Sequence, residues 1–156
     1  MNSPSTNQLS IRGMRPDDVG VVADMIKSLY QNLGAPDGYM NDGKIKLTFD
    51  QLFKHPGSIE VDVFEFNGQI AGYALLFSYW YNEFGGRVLN IDELFVKEEF
   101  RGQRMAKDYL SALLSRKEFV AHTLEVLPEN ENAYALYRKS GFEKKETITL
   151  ARMLEM

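Results

Sequence analysis

The sequence contains no cysteine. That excludes disulfides, thiolate zinc sites, iron–sulfur ligation and a cysteine nucleophile. Histidine is nearly as scarce, with only His55 and His122. Two histidines leave little room for a histidine metal site, so no metal is expected. Basic charge is short as well. There are 18 Lys and Arg against 22 Asp and Glu, for a net charge of −4. A nucleic-acid partner would favour a basic surface. No apolar run reaches the roughly 18 residues that a membrane span needs. The start, MNSPSTNQ, has no signal-peptide core. The expectation is a cytoplasmic protein with neither a nucleic-acid nor a membrane partner.

What is present is ordinary for a globular chain. Of 156 residues, 44% are hydrophobic and 26% charged. A chain of this length buries roughly two-thirds of the surface that its unfolded form exposes. One domain over 9–156 is expected, behind a polar, disordered N-terminus at 1–8.

Periodicity orders the rest. Leu9, Ile11 and Met14 mark a short strand. Pro16-Asp17-Asp18 is a helix start, and Val19, Val22, Ala23, Ile26, Leu29, Tyr30 and Leu33 form one helical stripe that Gly34 ends. Residues 35–43 read as a loop and 44–54 as a second helix. Ile59 to Glu65 and Ile70 to Tyr81 read as strands joined at Asn67-Gly68, a two-residue hairpin signal. Val88 to Val96 is a further strand. Residues 103–117 read as a helix, 123–127 as a strand, 130–140 as a helix and 146–154 as a closing strand. The order β-α-α-β-β-β-α-β-α-β makes an α/β fold: a central mixed, mostly antiparallel sheet flanked by helices.

Two segments carry chemistry. Asp92-Glu93-Leu94-Phe95-Val96 runs into Arg101-Gly102-Gln103-Arg104-Met105-Ala106 at a helix start. Free amides at a helix N-terminus attract anions. Glycine lets the chain approach a phosphate, and arginine adds charge-assisted bonds. Taken alone, this segment could equally be a solvated turn. The second segment is Asn130, Ala133, Tyr137, Gly141 and Phe142. Together the two resemble motifs of the GNAT superfamily of acetyl-CoA-dependent N-acetyltransferases. Its pyrophosphate loop reads Arg/Gln-x-x-Gly-x-Gly/Ala, and its later motif reads Asn-x-x-Ala-x-x-x-Tyr-x-x-x-Gly-Phe. Arg104 departs from this pattern, standing where the family usually has glycine.

The resemblance implies the GNAT fold and acetyl-CoA as cosubstrate. Backbone groups of Leu94, Phe95 and Val96 would hold the acetyl carbonyl and pantetheine arm. Arg101 to Ala106 would take the pyrophosphate. Asn130 and Ala133 would lie along the cofactor, although Asn130 could simply cap its helix. Tyr137 matches the family's general acid; its place on a helical stripe also fits core packing. Asp92 and Glu93 are candidates for relaying the amine proton. Strand alternation puts them on opposite faces unless a bulge intervenes. Polyamine acetyltransferases of the superfamily carry an acid pair at these positions.

Aromatics concentrate between Tyr73 and Phe100. Tyr79, Trp80 and Glu83 are candidate substrate contacts, because aromatic faces near carboxylates suit an organic cation. The reading is an N-acetyltransferase acting on the primary amine of a small molecule, a diamine or polyamine first. Without cysteine there is no acetyl-cysteine step, so transfer is direct within a ternary complex. Alternatives are another amine (aminoglycoside, amino acid or protein) or a non-catalytic acyl-CoA sensor. A homodimer is expected from the resemblance alone.

Overall fold

The structure is a computed structural model that describes residues 9–155. The stretch 1–8, expected to be disordered, lies outside the described residues. The chain divides into two compact units, one ending at Glu125 and one starting at Val126.

The first unit holds a five-stranded sheet in the order β1-β2-β3-β4-β5. Its strands are β1 (Leu9–Gly13), β2 (Glu60–Phe66), β3 (Gln69–Tyr81), β4 (Gly86–Val96) and β5 (Ala121–Leu124). Neighbours run antiparallel through β4, and β4 with β5 is the parallel pair. The helices are α1 (Val19–Asn32), α2 (Asp42–Lys54) and α3 (Met105–Leu114). The hairpin between β2 and β3 closes as its sequence requires, with Asn67 at φ 51° and Gly68 at φ 78°.

The two faces of the sheet separate by strand alternation. On one face α1 buries Val22, Met25 and Ile26, and α2 buries Ile45 and Phe49, against Val61, Val63, Tyr73, Leu75 and Phe95. On the other face Tyr109 of α3 stacks on Phe64 at 4.4 Å and donates to Asp62 at 2.7 Å. Met105 packs there with Phe66 and Ala71. The helical stripes read from the sequence are these packing faces. No helix among the described residues is long and apolar enough to cross a membrane.

The second unit holds α4 (Glu131–Lys139), with Asn130 as its N-cap. The expected strand at 146–154 does not form: residues 142–155 are neither helix nor strand. Thr147 to Leu150 alternates correctly, but a strand exists only when a neighbour takes its hydrogen bonds. Ile148 and Leu150 stand 85% and 90% exposed.

Gly72 fixes how closely β3 and β4 approach. It pairs with Val96, and a Cβ there would run into the Phe95 carbonyl and lie 2.8 Å from the Phe64 ring. Gly72→Ala is expected to lose about 2 kcal/mol by overpacking, read as a lower denaturant midpoint at unchanged slope.

Candidate active site

β4 is paired to β3 along its whole length, with one slip. Leu75 faces Glu93 and Leu76 faces Ile91, so Asp92 is an extra residue on β4. This is a β-bulge. It turns Glu93 and Phe95 toward α1 and α2 and leaves Leu94 and Val96 directed to the opposite face. The pairing of β4 with β5 stops at the same place. It runs from Val88 opposite Ala121 to Ile91 opposite Leu124. Beyond Ile91, β4 has β3 on one side only among the strands of this unit.

Glu93 is 8% exposed. A carboxylate so buried needs hydrogen bonds. Tyr30 of α1 donates to Oε2 at 2.8 Å, and Tyr73 of β3 donates to Oε1 at 2.9 Å. Asp92 and Glu93 both border a cleft of about 390 Å³, with Tyr30, Met40 and Phe77 on its wall. The bulge therefore brings to one cleft two acids that simple alternation would have separated. Burial pushes the Glu93 carboxyl up, the two phenols pull it back down, and Asp92 adds repulsion. Asp92 is also raised, first by burial and then by Glu125. Tyr30 and Tyr73 are raised, mainly by burial and by Glu93. Both phenols stay protonated and act as donors.

The turn after β4 is shaped for an anion. Arg101 folds back so that Nε donates to the Val96 carbonyl at 3.0 Å, with its guanidinium 5.6 Å over the Phe95 ring. Gly102 has φ 80° and Arg104 has φ 62°. The family's usual glycine at the Arg104 position suits this left-handed backbone, which strains an L-residue by about 1 kcal/mol. The first helical bond of α3 runs from the Asp108 amide to the Arg104 carbonyl. The amides of Met105, Ala106 and Lys107 precede it and point out of the helix end. The Phe95 and Met105 side chains are core, at 8% and 3% exposure, so only their backbones can serve a ligand.

In the second unit the Asn130 side chain accepts from the Ala133 amide at 3.3 Å, which is the capping role. Tyr137 sits on α4 with its ring 5.9 Å from Phe142, and burial raises its phenol. Among the acceptor candidates, Tyr79 and Trp80 are consecutive and project from opposite faces of β3. Glu83 lies in the 3-10 turn Asn82–Phe84. Sequence reading missed Tyr30 and Tyr73 as partners of Glu93. Tyr73 could have been found by assuming the bulge, because it lies two residues from Leu75 on the same face; Tyr30 needed the packing of α1.

The sequence matches the Acetyltransferase (GNAT) family over residues 26–142, and the chain belongs to that family. No curated protein matches it. Solved structures share the fold. One is a possible acetyltransferase from Clostridium difficile 630, at 20% identity and TM-score 0.80, covering 95% of this chain and 99% of that one. Another is a ribosomal-protein-alanine N-acetyltransferase from Brucella melitensis biovar Abortus 2308, at 17% identity and TM-score 0.75, covering 94% and 100%. A third is an aminoglycoside N-acetyltransferase in complex with CoA, at 19% identity and TM-score 0.76, covering 97% and 99%.

Because the folded pKa of Glu93 is raised, folding favours its protonated form. Its contribution to stability is therefore present at low pH and lost as pH rises through the folded value. The thermal midpoint of the wild type should gain on that of Glu93→Gln as pH falls from about 7 to about 4.5. Tyr73→Phe removes a bond to a buried charge. It should cost about 2 kcal/mol, read as a lower denaturant midpoint, and raise the Glu93 carboxyl further.

Proposed function

We propose that this acetyltransferase acetylates the primary amine of a small cationic acceptor, a diamine or polyamine first, by direct transfer from acetyl-CoA in a ternary complex. GNAT acetyltransferases use acetyl-CoA, and the residues after β4 fit it. The strained turn and the amides of Met105 to Lys107 form an anion cradle, with Arg101 and Arg104 to pair with the pyrophosphate. The unpaired side of β4 at Leu94 to Val96 offers backbone groups to the pantetheine arm. Asn130 and Ala133 belong to the same reading, though their mutual cap limits what the Ala133 amide can give. Bound acetyl-CoA supplies an acetyl thioester.

The observation that carries the acceptor reading is Glu93, set in the cleft wall and held by two phenols beside Asp92. An alkyl ammonium has a pKa of about 10.4, so its proton must leave before nitrogen can form a bond to carbon. Asp92 and Glu93, directly or through water, accept that proton. Backbone N–H groups of β4 stabilise charge on the acyl oxygen. By its motif position Tyr137, whose phenol burial raises, is the general acid that would protonate the sulfur as the carbon–sulfur bond breaks. The lack of cysteine supports direct transfer. The cytoplasm is the compartment this reading assumes, given the acidic, cysteine-free chain and its cosubstrate. A homodimer is part of the same reading, supported by Ile148, Leu150, Met153 and Leu154, which are 76% to 90% exposed and gain from being covered.

A thiol-release assay with diamines, polyamines, aminoglycosides and peptide amines tests the reading. Small diamines or polyamines should give the highest kcat/KM, and Glu93→Gln should lower it roughly a hundredfold. Tyr137→Phe should lower turnover far more than it weakens acetyl-CoA binding; equal losses would make Tyr137 a packing residue. Arg104→Gly should relax the backbone, holding or raising stability by about 1 kcal/mol, and still raise KM for acetyl-CoA. An unchanged KM would remove the guanidinium from the site. Sedimentation should show a dimer that Ile148→Asp with Leu150→Asp converts to a monomer.

A further inference from the structure

We infer that the row Phe77, Tyr79 and Tyr81 is the outer half of the acceptor site, selecting extended diamines whose second ammonium rests on these rings. This rests on the acceptor reading above and deepens it.

The row begins inside the cleft, because Phe77 lines it together with Asp92 and Glu93. Ring centroids then step 6.0 Å from Phe77 to Tyr79, 6.0 Å from Tyr79 to Tyr81 and 4.7 Å from Tyr81 to Phe84. Alternate residues of one strand share a face, so the row is continuous with the face that carries Glu93. Nothing in the sheet closes it from the β2 side. Leu76 is the last β3 residue paired with β2, through Glu60. From Phe77 onward β3 overhangs and pairs with β4 alone.

Packing within the row leaves its outer rings partly open. Tyr79 and Tyr81 are 36% and 37% exposed, whereas Tyr73 on the same strand face is fully buried. Elsewhere in the protein aromatic faces have cations over them: Lys44 on Tyr39, Arg101 on Phe95 and Arg116 on Phe119. Among the described residues these are the cation–π pairs, and none involves Phe77, Tyr79 or Tyr81. Carboxylates stand at the two ends of the row. Asp92 and Glu93 stand at its inner end, and Glu83 is in the turn that carries Phe84 at its outer end.

Phe77 to Tyr81 is four residues of strand, about 13 Å. A reacting amine at the carboxylates would place a second ammonium over Tyr79 or Tyr81 only when the chain between the two is long enough. A monoamine of equal length gains the apolar contact but not the cation–π attraction. Trp80, on the other face, takes no part.

The experiment is kcat/KM for α,ω-diamines of three to twelve carbons beside alkyl monoamines of matched length. The preference for diamine over monoamine should rise with length to roughly three- to tenfold. Tyr79→Leu with Tyr81→Leu should bring that ratio near one, while Tyr79→Phe with Tyr81→Phe should keep it. The ratio compares substrates on one enzyme preparation, so partial unfolding of a variant does not mimic the effect. A wild-type ratio that stays near one at every length, or a leucine variant that keeps the preference, overturns the inference and leaves the acceptor reading standing. A protein that binds CoA and acetylates no amine overturns both.

Discussion

A carboxyl with 8% of its surface exposed is tolerable only when its polar atoms find partners, and the first unit is arranged around meeting those of Glu93. The residue reaches the interior because β4 carries one residue too many at Asp92. It is held there because α1 brings Tyr30 and β3 brings Tyr73. These three elements converge on one side chain, so the packing of α1 on the sheet and the register of β3 against β4 are both tied to it. Losing one phenol leaves part of a buried charge unmet, which couples local stability to the protonation of the site.

The same bulge divides β4 into two halves with different duties. Its first half is an ordinary central strand between β3 and β5. Its second half, past Ile91, is paired on one side among the strands of the unit and leads into Arg101 to Arg104. Arg104 then adopts a backbone conformation that glycine would take more cheaply. A strained residue at a helix start persists only where its surroundings over-determine it. Here the strain aims three helix-end amides and leaves a guanidinium beside them.

Much of this was legible in the sequence. The stripes of α1 and α3 and the Asn67-Gly68 turn follow from period and turn chemistry, and they fixed the fold class. Arg101, Ala106 and Tyr137 were legible as motif positions. The bulge was not, because nothing local to Asp92-Glu93 distinguishes an alternating pair from a slipped one; the slip exists only relative to β3. Tyr30 and Tyr73 were visible as helix and strand positions, but their phenols acquire a partner only through tertiary packing. The failed strand at 146–154 is the converse case. Thr147 to Leu150 has the right alternation, yet pattern is a statement about one segment and a strand is a property of two.

The position of Trp80 has a practical side. It is the sole tryptophan of the chain, and it stands 66% exposed on the overhanging end of β3, back to back with the tyrosine row. All indole emission therefore originates at one place, in a water-facing setting, without any label. The protein carries its own fluorophore at the strand end, and a blue shift of that emission would report directly when anything comes to cover it.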